Sequence, residues 1–271
     1  MYHGKGYERQ GNPLMMREYG KEELYVAVKD ILGRDEFEER IAGEIENYGG
    51  LIDENTAAMV VVDKLRSDFF NVARISEIKP SDEVTLYARV DFLGKIRSFD
   101  GGKVVNTVIS DNTGSCILVL WDNDVDLVKN GKIEEGKVIK IINGYAKEGY
   151  YGTEVNIGRW GLVKTETEGI PEIGKEKKIE KLNDVKKGIV NIEARIKEIH
   201  STRIFFTENG ERFAASILAE DESGERKVVL WDEMARMIQK FREGDVIRID
   251  RAYVKNGEMH AGDISTISPE K

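Results

Sequence analysis

The chain has 271 residues, 40% hydrophobic and 34% charged, with Gly 27, Pro 4, one Cys and a formal net charge of −9; low-complexity disorder and a collagen-like chain are excluded. No apolar run approaches the roughly 18 residues of a membrane span, and the opening MYHGKGYERQ lacks a signal-like apolar core, so a soluble intracellular protein is expected. The single cysteine, Cys116, excludes an intrachain disulfide and a four-cysteine zinc site.

Residues 1–19 read as an N-terminal tail, and 20–70 as a small acidic helical unit. KEELYVAVKDIL and EFEERIAGEIENYGG show helical spacing, with Ile41, Ile45 and Tyr48 at i, i+4 and i+7. Gly49-Gly50 breaks that run, and Asp53 is placed to cap the next helix, NTAAMVVVDKL. The acidity is concentrated here: residues 1–83 hold 11 Lys/Arg against 18 Asp/Glu, whereas 84–165 hold 11 against 10 and 181–268 hold 15 against 16. An acidic average weakens a nucleic-acid reading without excluding one, because a local groove meets the phosphates.

The remainder is a duplication. SDNTGSCILVLWDNDVDLV (110–128) matches EDESGERKVVLWDEMARMI (220–238), and Asp111 to Trp121 and Asp221 to Trp231 are both ten residues apart. Downstream, EEGKVIKIINGYAKEG (134–149) matches REGDVIRIDRAYVKNG (242–257); upstream, YARVDFLGKIRSF (87–99) matches EARIKEIHSTRIF (193–205). Each copy reads as an extended β-branched run, a turn-rich stretch, a second run, a DNTG-type turn and a third strand. A short helix follows, for which Asp122 or Asp232 is the expected N-cap, then a fourth strand, a Gly-bearing hairpin (KEGYYG in copy one) and a fifth strand. Three strands, a helix and two strands is the order of an OB-fold, a five-stranded Greek-key barrel. The expected organisation is mainly β: OB-fold 1 over 74–165, a polar linker over 166–180 and OB-fold 2 over 181–268. The linker run KEKK (175–178) reads as a solvated segment.

The three histidines, His3, His200 and His260, are scattered, and the chain has no GxSxG, P-loop or HExxH, so no catalytic residue is assigned and a non-enzymatic role is expected. DNDVD (122–126) fails as a calcium loop: from Asp122, positions six and twelve are Leu127 and Ile133 where Gly and Glu are needed. No metal and no cofactor is expected. On the third strand, alternation sends Cys116, Leu118 and Leu120 inward, with Val228 and Leu230 in copy two. Ser115, Ile117, Val119 and Trp121 then face outward, as do Glu225, Lys227, Val229 and Trp231. Each tryptophan is either a cap of the barrel end against the short helix or a platform on which a nucleic-acid base stacks. Basic and aromatic side chains alternate in the loop between strands one and two: Lys95, Arg97, Phe99 and Lys103, then Arg203, Phe205 and Phe206 in copy two. In the strand four–five hairpin, Lys147 accompanies Tyr150 and Tyr151; copy two offers Met259 and His260 there. Those two loops flank the binding face of an OB-fold. Arg89 and Arg195 repeat in strand one and suit an ion pair or a phosphate contact equally; Trp160 reads as packing at the domain edge.

At these residues the chain resembles the replication protein A family of single-stranded DNA-binding proteins, especially archaeal large subunits. The D-x-[TS]-G turn, the LWD triplets (Leu120-Trp121-Asp122 and Leu230-Trp231-Asp232) and the loop Lys147–Gly152 carry the resemblance over about residues 74–268. AGEIENYGGLIDENTAAMVVVDKL also looks like the helical N-terminal segment of the archaeal form. The resemblance implies base stacking by Trp121 and Trp231, with Tyr150 or Tyr151 as the hairpin aromatic. Lys95, Arg97, Phe99, Lys103, Lys147, Arg203, Phe205, Phe206 and Lys227 complete the expected surface. It implies sequence-tolerant protection of single-stranded DNA in replication, repair and recombination, in a cytoplasmic, nucleoid-associated protein. Other subunits of the family and replication or repair enzymes are expected partners, and a membrane is not. An RNA-binding OB protein and a protein-interaction scaffold are the alternative readings. Against the family's pattern, no further OB-fold with a zinc motif is expected within these 271 residues, and the copy-two hairpin offers no Phe, Tyr or Trp.

Overall fold

Three helices, α1 (Lys21–Val28), α2 (Arg34–Asn47) and α3 (Glu54–Leu65), open the computed structural model, which describes residues 19–67, 69–158, 161–165, 173–174, 177–207 and 210–270. Asp53 caps α3 as expected: its carboxylate accepts the Thr56 N–H at 2.9 Å, one of the amides that a first helical turn leaves unpaired. The run Ala57–Val62 is buried on every side, because α3 lies between the other two helices and a β-barrel that contributes Ile142 and Leu162 to the same core. At this contact the buried carboxylate of Asp63 pairs with buried Lys140 and with Lys164, the latter at 2.6 Å.

The barrel is a closed circuit. Strand β1 (Glu83–Leu93) pairs with β3 (Gly102–Ser110) and β5 (Val138–Gly149). Strand β4 (Ser115–Trp121) pairs with β3 and, in parallel, with β6 (Gly152–Asn156), which returns to β5. Short strands β2 (Arg97–Phe99) and β7 (Leu162–Lys164) extend β3 and β5, and helix α4 (Asn123–Lys129) sits between β4 and β5. The second copy repeats the circuit with β8 (Gly188–Thr207), β9 (Gly210–Asp221), β10 (Gly224–Trp231), β11 (Val246–Lys255) and β12 (Glu258–Ala261). Helix α5 (Glu233–Met237) occupies the place of α4, and β13 (Thr266–Pro269) adds to β11. Each first strand bends at an equivalent bulge, Val90/Phe92 and Ile196/Glu198, and so pairs on both of its edges. These are two OB-folds behind a helical N-terminal part, the architecture that the strand order predicts.

Both barrels fill as the alternation requires, with Leu118, Leu120, Val228 and Leu230 wholly buried among the inward residues of each circuit. The turn aspartates do equivalent work. Asp111 accepts the N–H of Thr113 and Gly114 and reaches the Ile75 N–H at 2.8 Å; Asp221 accepts from Ser223 and from the Leu182 N–H at 2.8 Å. Each turn thus ties the start of its barrel to the strand-three hairpin.

Two expectations are corrected. Asp122 and Asp232 do not cap their helices by side chain. Their backbones take φ +46° and +47°, and their carboxylates reach back across the sheet to the N–H of Lys103 (3.1 Å) and Phe213 (3.0 Å). The outer face of β4 is also not open. Ile117 and Val119, with Val104 and Val108 of β3, are buried beneath the second barrel against Ile189, Tyr253 and Ile264. The sheets join there through a bridge between Ser115 and Ile189, and buried Arg251 lies 5.3 Å from the ring centroid of Phe92. Alternation alone does not reveal a second apolar layer lying on the outward side.

Candidate nucleic-acid interface

Each LWD tryptophan closes its third strand, partly buried, with its indole held by a hydrogen bond to the neighbouring parallel strand. Trp121 Nε1 donates to Asn156 Oδ1 at 3.2 Å, and Trp231 Nε1 donates to His260 Nδ1 at 3.2 Å. Asn156 pairs with Val119 and His260 with Val229, so the two acceptors stand at the same place in their barrels. The Trp121–Asn156 separation is 35 residues and the Trp231–His260 separation 29, which hides the equivalence in the sequence.

At the first barrel, Phe99 meets Trp121 edge-on, with centroids 6.3 Å apart, and remains 43% exposed. Phe99, Lys103, Asp122 and Asp126 line an open hollow of about 360 Å³ that does not include the indole itself among its walls. Lys95 and Arg97 are exposed, while Lys103 lies 3.9 Å from Asp126. A hollow with two carboxylates and one ammonium suits the flat face of a base better than a phosphate.

At the second barrel, β8 and β9 run on past the body as an arm. Arg203, Phe205 and Phe206 lie along it, with Phe205 46% and Phe206 81% exposed. Arg212, on the returning strand, places its guanidinium 6.0 Å from the Trp231 ring and pairs with Asp232 at 2.7 Å. Lys227 is exposed on the open outer face of β10.

The hairpin between β5 and β6 reaches the second barrel. Tyr150 is 51% exposed, and Lys255 Nζ stands 3.2 Å from its ring centroid. Tyr151 turns into the junction and donates to Asp263 Oδ1 at 2.5 Å; burial and that carboxylate push its phenol well above the usual range. Lys147 is paired with Glu154 at 3.1 Å. No ring contact joins Trp121 to either tyrosine among the described residues; the two tyrosines meet each other edge-on at 4.9 Å, and both pack against Tyr253.

Arg89 is a structural residue: it is buried, pairs with Asp91 at 2.8 Å, and donates to Ser110 and to the Gly174 carbonyl. Arg195 donates to the Gly244 carbonyl at 2.8 Å. Trp160 lies outside the described residues. Asn156, Arg212, Tyr253 and Lys255 carry no signal of their own in the sequence, because each is placed by strand register rather than by a local motif; His260 stands in the copy-two hairpin as the sequence offers it, but its pairing with Trp231 is set by the same register.

No family model matches the chain. A curated relative, replication factor A from Methanothermobacter thermautotrophicus (strain Delta H), is 28% identical over 254 residues, covering 84% of this chain; the chain spans 32% of that relative's length. Among solved structures, a replication protein A heterotrimer bound to ssDNA aligns with TM-score 0.39 and 14% identity, over 74% of this chain and 52% of that one. A murine DNA-binding protein bound with double-stranded DNA aligns with TM-score 0.42 and 16% identity, over 68% and 97%. A replication factor A related protein from Methanobacterium thermoautotrophicum aligns with TM-score 0.32 and 29% identity, over 35% and 89%. By sequence the chain is therefore similar to archaeal replication factor A, in keeping with the resemblance carried by its two LWD triplets.

Proposed function

We propose that the chain binds single-stranded DNA with little sequence preference, stacking bases on its OB-folds and steadying the backbone with basic side chains of their loops, in DNA replication and also in repair and recombination. The observation that carries this reading is the duplicated pinned indole: Trp121 and Trp231 are partly open, and each is fixed by a hydrogen bond from its own Nε1. An indole already held in one orientation loses little freedom when a base stacks on it. The similarity to replication factor A points the same way. The electrostatic share is modest, since Lys103, Lys147 and Arg212 already face carboxylates. The units taken to act are barrels at 74–165 and 181–268, a connector at 166–180 and an acidic helical unit at 20–70. Proposed partners beyond DNA are other subunits of the replication protein A type and replication or repair enzymes, in the nucleoid region of the cytoplasm.

Tryptophan emission tests this directly. Titration with a dT oligonucleotide of about 30 nucleotides, enough for two OB-folds, should quench emission strongly, and a matched duplex should not. Unchanged emission with both would make the indoles barrel end-caps and end the reading.

A further inference from the structure

Resting on the reading of single-strand binding, we infer that the β5–β6 hairpin of the first barrel serves the second barrel: Tyr150 joins Lys255, His260 and Trp231 in one composite subsite for a single-stranded nucleic-acid segment. His260 and Trp231 lie within 25° of parallel, and the Nε1–H···Nδ1 bond joins them edge to edge. Together they make a flat surface wider than either ring. Buried Tyr253 stacks on His260 at 5.4 Å and 21°, and so supports that surface. Tyr150 packs 6.0 Å from the same Tyr253, with its exposed ring beneath the Lys255 ammonium. A base on the fused Trp231–His260 surface, a phosphate at Lys255 and a neighbouring base or sugar on Tyr150 use every exposed group in this row.

The hairpin is held in place for this role. Tyr151 is bonded to Asp263, and Gly152, at φ +109°, passes so close that a Cβ there would lie 3.0 Å from Gly188 Cα. At the first barrel, in contrast, the ring beside Trp121 is Phe99. The acceptor role of His260 requires a neutral imidazole, and burial, set against nearby Glu258 and Lys255, lowers its pKa. Asn156 fills the same place in the first barrel, so His260→Asn keeps an acceptor while removing the ring.

The experiment uses the full chain in two single-reporter backgrounds, Trp121→Phe with Trp160→Phe, and Trp231→Phe with Trp160→Phe, each titrated with a dT oligonucleotide of about eight nucleotides. Tyr150→Ala should weaken binding seen by Trp231 about tenfold and leave binding seen by Trp121 within about twofold, while Tyr150→Phe keeps both. His260→Asn should weaken only the Trp231 signal. A loss confined to Trp121, equal losses at both, or no loss at either would overturn the composite subsite while leaving single-strand binding standing. No response of either parent background to dT would remove the binding reading itself, and this inference with it. Tyr150 is half exposed, so an unchanged melting curve verifies that the variant is folded.

Discussion

Asp124 stands in the first turn of α4, two residues beyond the tryptophan-bearing triplet, and burial together with the charge of Asp122 raises its pKa to about 7. The unfolded chain releases this proton near the ordinary aspartate value of 3.8, whereas the folded chain keeps it to near neutrality. The resulting stabilisation is complete below about pH 4 and is lost as pH rises through about 7. Thermal melts between about pH 5 and 8 should therefore show a fall in Tm that Asp124→Asn flattens; equal slopes for the two proteins would show that Asp124 titrates normally. The triplet makes the indole and its aspartate legible, but not what the aspartate does. Its hydrogen-bond partner, the Lys103 amide, lies 19 residues upstream across the sheet. The partial burial of Asp124 is likewise a product of the fold, and no local pattern announces it.

The paired first strands show how one module yields two different elements. In the first barrel the chain breaks after β1 and resumes as β2, with Gly94 between them at a point where a Cβ would come 2.4 Å from the Asn106 carbonyl. In the second, β8 continues for 20 residues and returns as the 12-residue β9. The order of strands was readable from turn residues and β-branched runs; this difference in length was not, because both copies carry similar basic–aromatic residues there. The distal arm is a two-stranded ribbon whose Ile204, Phe205 and Phe206 are exposed, and such ribbons are marginal by themselves. Amide exchange along 203–206 and 210–213 should be fast in the free protein and slow about tenfold or more when dT is added, with no slowing by duplex. Slow exchange before addition would mean that the arm is already rigid and closes on nothing.

At the scale of the whole molecule, the two copies differ on the outer face of their third strands. The first barrel places Ser115, Ile117 and Val119 where the second places Glu225, Lys227 and Val229. The apolar set is covered by the other barrel, and the charged set is open to solvent. That difference was present in the sequence, but reading both copies as one outward face concealed it; apolar residues on both faces of a strand mark a strand buried on both sides. Giving the first barrel the second one's residue, Ile117→Lys, tests whether this contact holds the barrels together. An ammonium at a position 1% exposed has no solvation when the barrels are docked and full solvation when they part. The inward residues Cys116, Leu118 and Leu120 are untouched by the change, so the first barrel keeps its own core. Small-angle scattering should show a larger radius of gyration for the variant, and NMR relaxation should show the barrels tumbling separately, with the strand content of both unchanged. An unaltered radius with intact barrels would mean that the bridge at Ser115 and Ile189 and the Tyr151–Asp263 bond suffice to hold the pair. Separation, on the other hand, should carry Tyr150 away from Lys255 and weaken binding seen by Trp231, linking the docking of the barrels to the composition of the site.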